Sequence, residues 1–308
     1  MADTSAIRES GGIVEKKTAG DIIFDILNYL FFGLFTFSCI FPFYYIFINT
    51  ISDPALVTAG KITLIPHGLT LSNYAVMIKL SDFWQSVLIT VLRTVLGTAL
   101  MVFVSSLAGY LVTKSEMWHR QLWYRMLVVT MYFNAGLIPW YLNMASLGLT
   151  NNFWAYIIPG IVSPYNIILV KTYIESIPGE IEESAYIDGA SYWTIYLKII
   201  WPLCKPILAT IAIFGAVGHW NSFQDSLILN ADSPALQTLQ HRLYIYLNQS
   251  SNIGAVLSSG DASNIASSLN TKIIQYTISM VTIIPILCVY PFMQRYFEKG
   301  LMLGAVKG

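Results

Sequence analysis

The sequence predicts an all-α polytopic membrane protein with six transmembrane helices and both termini in the cytoplasm. Three observations carry that expectation. Of 308 residues, 55% are hydrophobic and only 11% are charged, against roughly 25% charged in soluble domains. Five long stretches hold no Asp, Glu, Lys or Arg: residues 26–52, 94–113, 126–170, 206–224 and 273–294. Lys and Arg, finally, crowd the connections on one side of those stretches.

An uncharged apolar run of about 18 residues or more reads as a membrane-spanning helix. The first span is placed at 23–51. Its apolar stretch is too long for a cleaved signal peptide, and no small-x-small cleavage site follows. The connection 52–83 carries Pro54, Gly60, Pro66 and Gly68 and leads to a second span at 84–113, with Arg93 inside it. As one helix the run 126–170 would measure roughly 68 Å, over twice the hydrocarbon thickness. It must fold back, and the turn chemistry lies at Gly148-Leu149-Thr150-Asn151-Asn152. Spans three and four are therefore expected at 123–146 and 153–175. Span five is expected at 204–226 and span six at 273–296. Residues 1–22 form an N-terminal segment, 23–299 the six-helix domain and 300–308 a tail.

Charge orients the chain. On the side of the termini lie Arg8, Lys16, Lys17, Lys114, Arg120, Arg125, Lys171, Lys198, Lys205, Arg295, Lys299 and Lys307. The opposite side has Lys61, Lys79, Arg242 and Lys272. The positive side stays in the cytoplasm. Seventeen basic against seventeen acidic residues give no net charge, which argues against a nucleic-acid binder. Cys39, Cys204 and Cys288 lie in apolar stretches without metal spacing and read as small buried residues. No metal site is readable.

The cytoplasmic connection 176–203 is the segment with functional signal. Pro178 suits the first position of a helix, and Glu180, Glu182 and Glu183 then meet its positive end. Gly189 permits a sharp bend. A second short helix is expected over about 191–201, ended by Pro202, which cannot continue it. On physics alone this is either a solvated connection with an interfacial helix or a lever joined to spans four and five.

The residues themselves resemble a family. Glu183-Ser184-Ala185-Tyr186-Ile187-Asp188-Gly189-Ala190, followed by Trp201-Pro202-Leu203, is similar to the EAA motif in permease subunits of ABC importers of the carbohydrate type. Glu183, Gly189 and Pro202 fit the spacing of that motif, and Ser184 replaces its middle alanine. Pro66 with Thr70-Leu71-Ser72-Asn73-Tyr74, Leu147-Gly148-Leu149 and Trp220-Asn221-Ser222-Phe223 also match. The segment 300–308 resembles the C-terminus of maltose-type permeases. The nearest subgroup is that of polysaccharide and oligosaccharide permeases.

That resemblance implies a type I ABC importer transmembrane domain in a bacterial cell membrane. It implies a cytoplasmic ATPase dimer, a second permease subunit (usually a longer, related chain), an extracytoplasmic solute-binding protein and an oligosaccharide substrate. The chain has no Gly-x-x-x-x-Gly-Lys-Ser/Thr loop of its own. It is expected to be no enzyme and to hold no cofactor, ATP and Mg residing on the partner ATPases. The resemblance assigns Glu183, Ala185, Asp188, Gly189, Ala190 and Pro202 to ATPase coupling, and Leu301, Gly304, Val306 and Lys307 to a tail reaching between the ATPases. In the long outer connection 227–272, Gln240, His241, Arg242 and Tyr244 are candidate binding-protein contacts; a plain capping loop is the alternative.

The translocation path is read from the residues. Arg93, Trp220, Asn221, Gln224 and Asp225 are candidates because polar groups in lipid face the bundle interior, and aromatic rings with amides suit sugars. Arg93 is expected level with Asp225, either as part of the path or as a structural ion pair. Trp84, Trp140, Tyr141 and Trp154 read as interfacial belt residues. Two other classes make demands that the sequence does not meet. An ion-coupled transporter predicts mid-span carboxylates, and none is present; a membrane enzyme needs a convergent catalytic set, and the four histidines are scattered.

Overall fold

The computed structural model describes residues 19–79, 82–251 and 272–291. Its first elements are α1 (Ala19–Thr50), α2 (Pro54–Thr58), α3 (Ser72–Ile78), α4 (Phe83–Thr113), α5 (Arg120–Tyr132) and α6 (Leu137–Ser146). Two tight turns, Phe153–Tyr156 and Ile158–Gly160, lead to α7 (Pro164–Ile174). Then come α8 (Glu180–Ile187), α9 (Tyr192–Leu203), α10 (Lys205–Asn221) and α11 (Gln224–Leu229). The turn Pro234–Leu236, α12 (Leu239–Ser251) and α13 (Lys272–Pro291) complete the described chain. Every regular element among these residues is helical.

Among the described residues, α1, α4 and α13 are long and apolar enough to cross a membrane unaided. Two bent pairs qualify when each is taken together: Phe153–Gly160 with α7, bent by 44°, and α9 with α10, bent by 79°. The expected third span at 123–146 is not one helix. It is interrupted between α5 and α6, where Asn134 Oδ1 accepts the Gly136 N–H at 2.8 Å and Gly136 adopts φ 89°. That Asx-type bond draws the backbone out of the helix. The expected turn after it is present, with Gly148 at φ 70° and Asn151 at φ 51°.

The core is built around α4. Near its C-terminal end, Tyr110 packs with Val170 and Ile174 of α7, Ile195, Tyr196 and Ile200 of α9, and Ile207 and Ile211 of α10. Near its N-terminal end, Phe83 packs with Met77 of α3, Leu239 of α12 and Ile278 of α13. The side-chain amide of Asn73 donates to the carbonyls of Thr50 and Ser52, both at 2.9 Å, and ties α3 to the end of α1. Helix α1 otherwise leaves the bundle. Only 6% of its apolar window is buried, and Phe24, Tyr29, Phe31, Phe32 and Phe35 are exposed.

Candidate functional site

The segment between α7 and α10 forms an elbow. Helix α8 begins at Glu180, two residues beyond Pro178, and ends at Ile187. Gly189 turns the chain with φ 77°, a left-handed conformation that only glycine adopts without strain. Ser191 then caps α9, its Oγ accepting the Thr194 N–H at 3.3 Å. Ala185 and Ala190 face inward onto the core cluster, while Glu183, Tyr186, Ile187, Asp188 and Gly189 face outward. The inner face is pinned by Glu182, which pairs with Lys114 at the end of α4 and accepts the Tyr110 hydroxyl at 3.1 Å. The Lys114 ammonium lies over the Tyr110 ring at 4.2 Å. Two contacts through Glu182 thus join the elbow to the longest core helix.

Pro202 does not end α9. The helix widens over Tyr196–Ile200 into a π-type turn, which spares the ring of Pro202 the usual clash, and runs on to Leu203. The break comes at Cys204, and Pro206 opens α10. The bend of 79° at that point makes the elbow and α10 two distinct limbs.

A second polar constellation lies toward the other end of α4. The Arg93 side chain is 2% exposed and that of Asp225 17%. Nη2 lies 2.5 Å from Oδ2 and Nη1 lies 3.2 Å from Oδ1, a bidentate pair. Nη1 also donates to the Ser222 carbonyl at 3.2 Å. Asp225 accepts further from the Ser222 hydroxyl at 3.0 Å and the Ser226 N–H at 2.9 Å. The guanidinium lies 4.5 Å over the ring of Tyr156, whose hydroxyl donates to the Leu236 carbonyl at 2.6 Å. Ser226 Oγ in turn meets His241 Nδ1 at 2.9 Å. The pair is therefore embedded in a network linking α4, α11 and α12.

Three relatives match nine-tenths or more of this chain. The polygalacturonan/rhamnogalacturonan transport system permease protein YtcP of Bacillus subtilis is 35% identical over 288 residues, which is 93% of this chain and 99% of that protein. The chain belongs to the permease subunits of carbohydrate ABC transport systems. Protein LplC of Bacillus subtilis is 34% identical over 95% of this chain and 97% of its own length. The arabinooligosaccharides permease AraQ of Halalkalibacterium halodurans is 28% identical over 90% of this chain and 94% of its own. In structure, the chain matches one from the crystal structure of a bacterial ABC transporter involved in the import of the acidic polysaccharide alginate. The TM-score is 0.80 at 33% identity, covering 92% of this chain and 100% of that one. No protein-family model matches the chain.

Within this permease, the residues singled out in the sequence fall into separate places. Arg93 and Asp225 meet, whereas the other three path candidates point elsewhere. Trp220 donates its indole N–H to the Thr282 carbonyl at 3.0 Å and packs between α10 and α13. Asn221 accepts from the Gln240 amide at 3.2 Å, and Gln224 is exposed. All four candidate binding-protein contacts, Gln240 included, have partners within the chain. His241 is 2% exposed, turned inward by its bond to Ser226. Arg242 is half-buried and pairs with Asp82 at 2.9 Å. Tyr244 stacks on Phe223 with ring centroids 4.9 Å apart. Leu301, Gly304, Val306 and Lys307 lie outside the described residues.

Sequence reasoning treated Glu182 only as a carboxylate at a helix start. Its spacing of three from inward-facing Ala185 was the available signal. Trp140, read as a belt residue, lines a cavity beside Arg93 and Asp225, together with Tyr156 and His219. Nothing in the spacing of these five residues announces that meeting.

Proposed function

We propose that this permease is one half of the membrane channel of an ATP-driven, binding-protein-dependent importer of oligosaccharides. It crosses the cell membrane six times, with both ends in the cytoplasm. The crossings are α1, α4, α5 with α6, the turns Phe153–Gly160 with α7, α10, and α13. Lys and Arg distribution supports this orientation, and the relatives' naming for polygalacturonan and arabinooligosaccharide transport supports the substrate class.

The observation that carries the coupling role is the elbow itself. Its outer face offers Glu183, Tyr186, Ile187 and Asp188 to a partner, and its inner face is fastened to α4 through Glu182 and Lys114. A cytoplasmic ATPase dimer grips that outer face, with Gly189 shaping the bend and Ala185 and Ala190 seating it on the bundle. The tail residues Leu301, Gly304, Val306 and Lys307 reach between the ATPases. A second permease subunit completes the channel, and a solute-binding protein delivers the sugar at the end capped by α12. ATP and Mg act on the partner subunits. The helix bundle is the two-state element, and nucleotide-driven closure of the ATPases biases it.

The test is reconstitution. The complex with partner permease, ATPases and binding protein should import sugar into vesicles only with ATP, and Gly189→Val should lower the sugar imported per ATP hydrolysed. Import by this chain alone, without any other subunit, would overturn the reading.

A further inference from the structure

We propose that two adjoining cavities in this permease form a saccharide track, in which a sugar ring packs on Trp140 and offers hydroxyls to His219 and Asp225. The proposal rests on the import reading above and locates where along this chain the sugar runs. The first cavity, of about 320 Å³, is an open cleft lined by residues of α4, α6, the turns Phe153–Tyr156 and Ile158–Gly160, α10 and α11. Its polar lining is Arg93, His219, Ser222 and Asp225, and Trp140 supplies an aromatic wall. The second, of about 630 Å³, is lined among others by Met101, Tyr165, Asn166 and Phe214. Gly160 and Gly215 line both, so the cavities meet at a glycine neck. Each volume lies in the range of small-ligand sites, roughly 300–1,000 Å³.

Three features separate this space from a packing defect. The His219 imidazole is half-buried, and no hydrogen bond within the described residues engages it. Its ring is nonetheless held in place: a Cβ on Gly97 would lie 2.5 Å from Nε2, so α4 leaves a slot for it. A polar ring at this depth without a partner is costly unless the cavity supplies one. The second feature is Arg93, whose Nε is buried without a partner while both terminal nitrogens are bonded. The third is Asp225, which lines the cavity and whose Oδ2 accepts one hydrogen bond, from Arg93, where a carboxylate oxygen can accept two. Arg93 and Asp225 cancel in charge. The lining is thus polar without a net charge, which favours hydroxyls over a bare ion. An aromatic wall beside hydroxyl-pairing groups matches the two kinds of surface a sugar ring presents.

Thiol chemistry on the assembled complex in vesicles tests this without ATP. Gly160→Cys places its Cβ at an ordinary 3.6 Å from the His219 ring, and Asn166→Cys reports on the second cavity. Leu34→Cys, on the exposed face of α1, is the hydrocarbon control. The reagent is sulfonatoethyl methanethiosulfonate, read above the background of Cys39, Cys204 and Cys288. Both cavity positions should react, and maltotriose or trigalacturonate should slow the reaction. Trp140→Ala and His219→Ala should each raise the half-protecting sugar concentration about tenfold. Reactivity no higher than at Leu34→Cys would overturn the track. Reactivity that neither sugar slows, or protection indifferent to both substitutions, would overturn its saccharide chemistry. Failure of the import reading shows separately, as wild-type complex without ATP-dependent uptake.

Discussion

Arg93 and Asp225 show how much one contact can carry at membrane depth. Removing one member strands a buried charge, which costs about 3–5 kcal/mol. Asp225→Ala should therefore lower the thermal unfolding temperature of the purified complex sharply, and the double change Arg93→Met with Asp225→Leu should recover most of the loss. Equal stability of single and double variants would show that the pair is not coupled. His241 gives a second prediction. Burial, and next the charge of Arg242, hold its imidazole below the usual value, with Asp225 opposing. The neutral form is thus the one the fold prefers. Its contribution is complete above about pH 6.5 and is lost as pH falls through the lowered folded value. Unfolding temperature should drop on acidification below that point, and His241→Gln should flatten the drop. The Arg93–Asp225 meeting was legible beforehand because charges are so rare here that each must find another. His241 was not, since its inward turn depends on Ser226, a residue without any periodic signal.

At the scale of elements, the elbow depends on a left-handed glycine turn, a cap and a brace. Gly189→Val forces a β-branched residue into a left-handed conformation, at a cost of about 1–2 kcal/mol, and should distort the elbow while α4 and α10 stay folded. Glu182→Gln removes the ion pair with Lys114 but keeps the packing of Ala185. It should leave insertion intact and reduce the sugar moved per ATP; unchanged coupling would show that the brace is dispensable. The charge gaps made every long helix legible, and the Pro178–Gly189 punctuation made the start and bend of the elbow legible. Helix breaks were harder. The interruption at Asn134 and Gly136 rests on a single side-chain bond, and Pro202 is absorbed by a π-type turn that no composition rule announces.

For the whole molecule, the assignment of sides follows from scattered charges, and site-directed labelling checks it. With an impermeant thiol reagent, Asp232→Cys should react on intact cells, and Glu183→Cys only after the membrane is opened. The reverse pattern would invert the orientation. Composition could reveal that the chain lives in lipid, but not that α1 stands apart from its own bundle, because an apolar surface reads alike whether lipid or protein covers it. Helix α4, by contrast, touches everything that matters. Its 31 residues make a rod of about 46 Å, with Lys114 at the elbow, Arg93 beside the cavity and Phe83 under the cap. Tilted by about 10° about its middle, a rod of that length moves its two ends by about 4 Å in opposite directions. On the import reading proposed above, opening on one face of the membrane and sealing on the other would then be a single displacement, with no separate signal to travel between them.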